Sequence, residues 1–277
     1  MRIFLTGGTG FLGSYFLQMA LNAGHEVVAL RLPGERCKQK LPCEPVWIDG
    51  TLEDFPRTSL GGVETLVHLA AHGVNPTAAN WRDCFRWNVS ASLALWLDAA
   101  GSNVRRFVIA GSCFEYGNSG EQYDFIPTDA PLLPTGPYHS SKAAATMAAL
   151  GFAMDQDREL IILRPFHIYG DGEAETRFWP LLVKAAAEGR DLPMTEGTQI
   201  RDFTPVRDVA ARFVHAMDRQ DLCQGFPMIE NVGSGQPRSL LQFATDEWIR
   251  LGATGKLLPG LVPIRSNEVM RYVPKIK

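Results

Sequence analysis

The sequence predicts an α/β fold in which a doubly wound parallel sheet is followed by a smaller C-terminal lobe. Short, continuously apolar segments alternate with helix-like segments up to about residue 165. A glycine-rich turn follows the first apolar segment, and the regular alternation is lost after Arg164. Strands that are covered on both faces form continuous apolar runs, so this pattern is typical of a parallel sheet between two helical layers.

Each element is predicted from its own local pattern. Residues 2–6 form a short apolar run that glycines end, which indicates a buried strand. The helix over 11–23 is closed by Gly24. The further predicted strands cover 26–30, 46–48, 65–69, 106–110 and 160–163, and the further helices cover 88–100, 138–154 and 208–217.

These elements suggest two lobes. The dinucleotide-binding lobe covers 1–165, and 204–232 is expected to return to it. The second lobe is expected to comprise 166–203 and 233–277. Since the boundary is discontinuous and no flexible linker is apparent, the two lobes are expected to be closely joined.

Composition limits the classes of partner. The chain has 277 residues, 45% of them hydrophobic, and a formal charge of −3. This near-neutral balance argues against nucleic acid or an anionic membrane as partner. The five cysteines are odd in number and form no C-x-x-C pair, so reduced thiols are expected and no metal is predicted. The first strand begins almost at Met1, and the longest apolar run, 143–154, is too short to span a bilayer; a cytoplasmic protein is expected.

The turn after the first strand has the spacing of a phosphate-binding loop. Gly7, Gly10 and Gly13 fall at intervals of three, and Phe11 and Leu12 open the following helix. Glycines let backbone N–H groups approach a pyrophosphate, and the helix N-terminus favours its charge. A tight turn without a ligand is the alternative, but the position in the first βα turn favours a dinucleotide.

The end of the second strand bears on which dinucleotide is bound. Arg31, with Arg36 as a second candidate nearby, stands where a carboxylate would bind the ribose hydroxyls of NAD. An arginine there is suited to a 2′-phosphate, so NADP(H) is favoured, with NAD(H) as the alternative. A solvated surface arginine is the other interpretation. Asp49 is a candidate contact to the adenine.

A second group of residues suggests acid–base chemistry. Tyr138 and Lys142 lie four apart in a predicted helix and share one face. A nearby ammonium favours the phenolate, which a phenol needs to act at neutral pH. Ser112 directly follows the fifth strand, where ligands of a parallel sheet collect, and can hydrogen-bond a carbonyl or hydroxyl beside Tyr138.

With these motifs the chain resembles the extended short-chain dehydrogenases/reductases of the NDP-sugar epimerase/dehydratase/reductase group. The matching segments are TGGTGFLG at 6–13, HLAA at 68–71, NV at 88–89, GSCFEYG at 111–117, YHSSK at 138–142 and RPFHIYG at 164–170. The resemblance implies a Rossmann-type lobe with Ser112, Tyr138 and Lys142 as the catalytic set. It also implies a cofactor channel lined by Leu69, Ala70, Ala71, Asn88 and Pro165.

The resemblance extends to the second lobe. Arg201, within GTQIRDF, and Arg265, before Ser266, resemble arginines that hold a nucleotide-sugar pyrophosphate. Surface salt bridges are the alternative for both. Phe178, with Pro180, resembles the part that packs on the nucleotide base, or else belongs to an ordinary core. The remaining substrate candidates are Ser112, Cys113 and His167.

Three details favour the nucleoside-diphosphate-4-keto-6-deoxysugar 4-reductases within this group. Arg31 suggests NADP(H), His167 replaces the asparagine of many epimerases, and Cys113-Phe114 replaces the acid pair of the 4,6-dehydratases. The predicted function is NADPH-dependent reduction of the 4-keto group of a dTDP- or CDP-linked deoxysugar. An NDP-sugar 4-epimerase with tightly bound NAD is the nearest alternative.

Two further functions stay open at this point: an idle dinucleotide-binding module and a reductase of substrates without a nucleotide. The retained Ser112, Tyr138 and Lys142 argue against the first, and Arg201 and Arg265 against the second. The resemblance also leads us to expect a homodimer formed through the helices near 88–100 and 138–154.

Overall fold

The computed structural model describes residues 1–75, 79–265 and 268–276. Strands and helices alternate up to residue 165. The strands are β1 (Arg2–Thr6), β2 (Glu26–Arg31), β3 (Val46–Asp49), β4 (Thr65–His68), β5 (Arg106–Ala110), β6 (Glu159–Pro165), β7 (Ile168–Tyr169), β8 (Leu192–Pro193), β9 (Ile200–Arg201), β10 (Thr204–Pro205), β11 (Met228–Val232), β12 (Arg238–Ser239), β13 (Leu257–Leu258) and β14 (Arg271–Tyr272). The α-helices are α1 (Phe11–Asn22), α2 (Trp81–Phe85), α3 (Ser92–Gly101), α4 (Pro137–Asp155), α5 (Phe178–Ala187), α6 (Val206–Met217) and α7 (Leu240–Arg250).

A seven-stranded parallel sheet forms the centre of the molecule. Its order is β11-β6-β5-β4-β1-β2-β3, and every neighbouring pair is parallel. The chain runs outward from β1 to β3 and then returns to β4 on the other side of β1. The predicted doubly wound α/β fold is therefore confirmed, and its switch point lies between β1 and β4.

Apolar side chains cover both faces of this sheet. On one face Trp96 and Phe152, from α3 and α4, pack with Phe107 of β5. On the other face α1 and α6 bring Phe16 and Phe213 into a second core. Because both faces are covered, the strands need apolar residues at successive positions, which explains their continuous apolar runs.

The segments after β6 build smaller sheets beside the carboxyl edge of the large one. They form the strand groups β12-β9-β14, β13-β8 and β10-β7. Helices α5 and α7 enclose a small core around Leu182, Ala244 and Trp248. Phe203 and Phe243 stack with their ring centroids 4.0 Å apart, and this pair links the small sheets to α7.

The predicted helix over 88–100 begins differently from the sequence expectation. Residues Arg86–Ala91 form a π-helical segment between α2 and α3. The Ser92 hydroxyl donates to the Trp87 carbonyl oxygen, five residues back, at 2.9 Å. Single π-helical turns of this kind often occur at functional sites. Among the helices of the described residues, none has the length and apolar character needed to cross a membrane.

Candidate active site

The glycine-rich turn lies at the switch point and forms a cradle of backbone atoms. Gly7 has a φ of +76°, and a Cβ on it would come within 2.5 Å of the Ala70 amide nitrogen. A Cβ on Gly13 would overlap the Gly7 carbonyl oxygen. Gly10 precedes α1 and makes no side-chain cap, so N–H groups of the first turn are free for a ligand. This close approach fits the pyrophosphate of a dinucleotide.

The loop after β4 forms the opposite wall of the cradle and is fixed by Asn88. The Asn88 amide accepts from the His72 N–H at 2.7 Å and donates to the His72 carbonyl at 2.9 Å. It also donates to the Ser141 hydroxyl at 2.9 Å. Leu69 is anchored through its N–H to the Thr6 carbonyl at 3.1 Å. Asn88 therefore positions Ala70, Ala71 and the loop that follows them, with its own polar atoms already paired.

Ser112 and Tyr138 lie near each other at the carboxyl end of β5. Tyr138 is in the first turn of α4. Burial raises the pKa of Tyr138 above its ordinary value, while the nearby Ser112 hydroxyl and the Arg177 guanidinium oppose the rise. A phenol beside a hydroxyl is a group that can exchange a proton with a bound ligand.

Lys142 lies on the same face of α4 and is buried. Its ammonium donates to the Ala110 carbonyl at 2.6 Å. Burial lowers the pKa of Lys142, and the Glu115 carboxylate opposes that shift. The ammonium is thus held at the last carbonyl of β5, close to the strand end from which Ser112 emerges.

A buried ion pair that sequence reasoning missed holds Ser112 in place. Glu115 Oε1 accepts from the Ser112 N–H at 2.8 Å, and Glu115 Oε2 accepts from Arg164 Nε and from the Thr146 hydroxyl, each at 2.8 Å. The Ser112 hydroxyl in turn accepts from the Phe114 N–H at 3.2 Å. The S-x-x-E spacing of a capping box was the sequence signal for this arrangement.

His167 faces an aromatic pocket beside this set. Its ring lies among Phe114, Phe203 and Tyr272, with centroid distances of 5.8 to 6.3 Å. Nδ1 is buried and has no hydrogen-bond partner among the described residues. Burial lowers the pKa of His167 well below its ordinary value, and two guanidinium groups lower it further. The ring is therefore neutral and has a polar atom available for a ligand.

Cys113 is buried in a small core with Tyr116, Phe166 and Tyr272. Burial raises the pKa of the Cys113 thiol to about 12. A thiol in this state is a poor nucleophile at neutral pH, so the side chain fills space next to the site.

The residues predicted to hold a diphosphate have different surroundings. Arg201 is buried and donates to Glu268 Oε1 at 2.5 Å and to the Val269 carbonyl at 2.6 Å. Arg265 is exposed, and the neighbouring residues 266–267 lie outside the described part of the chain. Arg201 is therefore already paired, whereas Arg265 is at the surface.

Two further predicted residues lie at element ends. Phe178 begins α5 and packs against the small core of the second lobe. Pro165 ends β6, opposite Val232 of β11.

Comparison with known proteins gives relatives among nucleotide-sugar enzymes. The UDP-glucose 4-epimerase of Corynebacterium glutamicum is 28% identical, over 87% of this chain and 78% of its own length. The dTDP-6-deoxy-L-talose 4-dehydrogenase (NAD(+)) of Aggregatibacter actinomycetemcomitans is 26% identical, over 90% of each chain. The solved structure of MoeE5 in complex with UDP-glucuronic acid and NAD is 27% identical, covers 100% of this chain and 90% of its own, and has a TM-score of 0.84.

The prediction that Arg31 selects NADP(H) is wrong. Two solved MoeE5 complexes, each 27% identical to this chain, contain NAD, and the dehydrogenase from Aggregatibacter is named for NAD(+). These relatives favour NAD(H). The physical reason lies in the ion pair between Arg31 Nε and Asp49 Oδ1, which are 2.7 Å apart, and in the Trp47 ring, whose centroid is 4.6 Å from the guanidinium. Arg31 is not a free cation, and the Asp49 carboxylate beside it would repel a 2′-phosphate.

One family model agrees with these observations: the group of Ser112, Tyr138 and Lys142 at the end of β5, the glycine cradle, and the relatives solved with NAD. That model, the NAD dependent epimerase/dehydratase family, matches residues 3–232. The chain belongs to the NAD dependent epimerase/dehydratase family.

Proposed function

We propose that the protein is an NAD-dependent 4-epimerase of a UDP-hexose. It would oxidise the C4 hydroxyl and reduce the resulting ketone from the opposite face. The observation that carries this proposal is that the chain has the residues for oxidation and reduction at C4, Ser112, Tyr138 and Lys142, but lacks the acidic pair that a dehydratase needs for elimination. Ser112 and Tyr138 lie together at the end of β5, but the two positions after Ser112 are Cys113 and Phe114, which supply no carboxyl group. The Glu115 carboxylate is occupied by Ser112, Thr146 and Arg164.

The relatives support this reading over the predicted NADPH-dependent 4-ketoreduction. UDP-glucose 4-epimerases from Corynebacterium glutamicum and Neisseria meningitidis are each 28% identical over 87% of this chain. A net reductase must also exchange its cofactor at every turnover, whereas an epimerase regenerates it within one cycle. Of the two reactions that the sequence suggested, epimerisation is the better supported.

The proposed mechanism assigns proton transfer to Tyr138. NAD, when bound, supplies the chemistry that accepts the C4 hydride and returns it. Tyr138 takes the proton of the C4 hydroxyl and later gives it back to the C4 oxygen. Ser112 would hydrogen-bond this oxygen, and the Lys142 ammonium would favour the phenolate against the burial that raises the pKa of Tyr138.

The other predicted residues would orient the two ligands. The cradle of Gly7, Gly10 and Gly13 would hold the cofactor pyrophosphate. Arg201 and Arg265 would bind the substrate diphosphate, for which Arg201 would exchange its bond with Glu268 for a phosphate oxygen. This remote binding energy would place C4 beside Tyr138.

The test is the interconversion of UDP-glucose and UDP-galactose by the purified chain without added cofactor. We expect C4 inversion with no net NADH in solution, and bound NAD recovered after denaturation. Tyr138→Phe should fold normally and lose the activity. A result without inversion of either sugar would overturn the proposal.

A second candidate is a net NAD-linked 4-dehydrogenase. The dehydrogenase from Aggregatibacter supports it, since it is 26% identical over 90% of both chains. In that case NADH would accumulate in step with a 4-keto product. The same assay with NAD added in excess, followed by NADH absorbance, separates the two reactions.

We also propose that the chain forms a homodimer through α2, α3 and α4. These helices expose large apolar side chains: Trp81 is 59%, Leu97 47% and Met147 61% exposed. Burying such a surface against a second copy would remove it from water. Light scattering after size exclusion should give twice the chain mass, and Met147→Glu with Leu97→Glu should give the monomer. A monomeric wild-type protein would refute this arrangement.

A further inference from the structure

The loop of residues 170–177, called the strap here, is tied by hydrogen bonds to three other parts of the chain. Near one end the Tyr15 hydroxyl donates to the Asp171 carbonyl at 3.0 Å, and the Lys38 ammonium donates to the Gly172 carbonyl at 2.9 Å. At the other end Arg177 Nη2 donates to the Val74 carbonyl at 2.8 Å. The strap is thus attached to α1, to the segment after β2 and to the loop after β4.

Two of these attachment points belong to the elements that form the glycine cradle. Tyr15 lies one turn after Phe11 at the start of α1, and the two rings are in edge contact at 6.3 Å. Val74 follows Ala70 and Ala71, which form the other wall of the cradle. The strap therefore connects the two walls of the cradle, and the residues between Gly172 and Arg177 lie between its attachments to them.

Glu173 occupies that part of the strap and has an unused hydrogen-bond acceptor. Its Oε2 is buried and has no partner among the described residues. The Glu173 N–H is fixed to the Gly170 carbonyl at 3.2 Å, so the residue is turned tightly. A buried carboxyl oxygen without a donor is costly, and a ligand that brings an O–H or N–H group removes this cost.

We propose that Glu173 is a cofactor-contacting residue, whose Oε2 accepts a hydrogen bond from a ribose hydroxyl or the carboxamide N–H of the bound dinucleotide beneath the strap. The proposal rests on dinucleotide binding by this family and is independent of the reaction at the sugar. A phosphate oxygen is not the partner, because it offers no donor and would repel the carboxylate.

The charge of Glu173 makes this contact dependent on pH. Burial raises the pKa of Glu173 to about 7, and the Arg177 guanidinium opposes the rise. Other charged groups on the strap and the elements around it are Asp171, Glu175, Lys38 and Arg207, whose guanidinium lies 5.6 Å from the Tyr15 ring centroid. A donor from the ligand stabilises the ionised carboxylate, so binding should release a proton below the pKa of the free protein.

The test is calorimetric titration of NAD into the nucleotide-free full chain across the neutral pH range. For the wild type we expect affinity to rise with pH, by up to about ten-fold per unit below the pKa of Glu173. Glu173→Gln should abolish this pH dependence and weaken binding at high pH by about ten-fold or more. Glu175→Gln is the matched control, because Glu175 is exposed on the same strap; it should behave as wild type.

Two results would overturn the proposal. One is wild-type pH dependence and affinity in Glu173→Gln. The other is a wild-type affinity that falls as pH rises, which would put the carboxyl against a phosphate. Glu173→Asp retains the charge, so recovery of the pH dependence in this variant separates a loss of contact from a loss of folding. Since no sugar is present, failure here leaves the proposed epimerisation untouched, and absence of epimerisation leaves this result untouched.

Discussion

Replacing Glu115 by glutamine tests whether the buried ion pair of Glu115 with Arg164 stabilises the fold around Ser112. Glu115 is fully buried, its partner Arg164 is 2% exposed at the side chain, and their Oε2 and Nε atoms are 2.8 Å apart. The variant keeps the shape but leaves the Arg164 charge buried without a counter-ion. Among the described residues Arg164 would then have neutral acceptors alone, which include the Tyr116 hydroxyl and the Thr128 carbonyl oxygen at 2.9 and 3.1 Å.

The magnitude follows from the burial. Breaking a buried pair by removing one charge costs about 3–5 kcal/mol, whereas an exposed pair contributes little. We expect Glu115→Gln to lower the free energy of unfolding by that amount in urea denaturation, with an unchanged m-value. Glu53→Gln is the matched control, since its ion pair with Arg86 lies at the surface, and it should unfold at the wild-type urea concentration.

A double variant then separates the pair from its surroundings. Adding Arg164→Met to Glu115→Gln removes the unpaired charge, so the double variant should be more stable than Glu115→Gln alone. Activity should remain low in both, because the Ser112 N–H has lost its carboxylate acceptor. A loss below about 1 kcal/mol for Glu115→Gln would refute the reasoning, because it would mean that water or rearrangement compensates the Arg164 charge.

Three other changes have defined outcomes. Tyr138→Phe should reduce C4 inversion by about 10²–10⁴-fold, as expected for a lost acid–base group, while NAD titration stays near wild type; equal activity would exclude Tyr138 as that group. Gly13→Ala should abolish measurable NAD binding in calorimetry, since the new Cβ would overlap the Gly7 carbonyl oxygen; retained affinity would show that the cradle can open. Asp49→Asn should improve the ratio of NADP to NAD affinity by up to about five-fold, because it frees the Arg31 guanidinium and removes a carboxylate; an unchanged ratio would mean that the ion pair does not exclude the phosphate.

Most strands of the large sheet could be predicted from local sequence, and one could not. The strands β1, β2 and β4 to β6 are apolar runs because they are buried on both faces. Strand β11 lies at the edge of the sheet and contains Glu230 and Asn231. These polar residues interrupt the apolar run by which the other strands were predicted. The π-helical segment was also missed, since it depends on a hydrogen bond from Ser92 rather than on residue periodicity.

In the predicted site too, features that depend on neighbouring residues could be predicted, whereas features that depend on contacts between distant parts of the chain could not. The glycine spacing and the Tyr138–Lys142 pair are readable because each lies within one turn or helix. The ion pair of Arg31 with Asp49 depends on the parallel register of β2 and β3, in which these two residues are opposite each other. A single-sequence reading treated Arg31 as a free cation, and this is why the cofactor was assigned incorrectly. The sequence gives no signal for Glu173, because its buried Oε2 without a partner among the described residues is visible only in three dimensions.

The glycine cradle and the region around Arg201 differ in how far their side chains and backbone are already arranged for a ligand. On the cofactor side the Gly7 and Gly13 backbone is closely packed, and Asn88 has its hydrogen bonds satisfied. At the proposed substrate side Arg201 is bound to Glu268, and His167 Nδ1 has no partner among the described residues. In the proposed function a dinucleotide would therefore enter a largely formed cradle, whereas a substrate diphosphate would have to compete with the Glu268 carboxylate for Arg201. This difference would favour a cofactor that binds first and stays bound, which an epimerase requires and a net reductase does not.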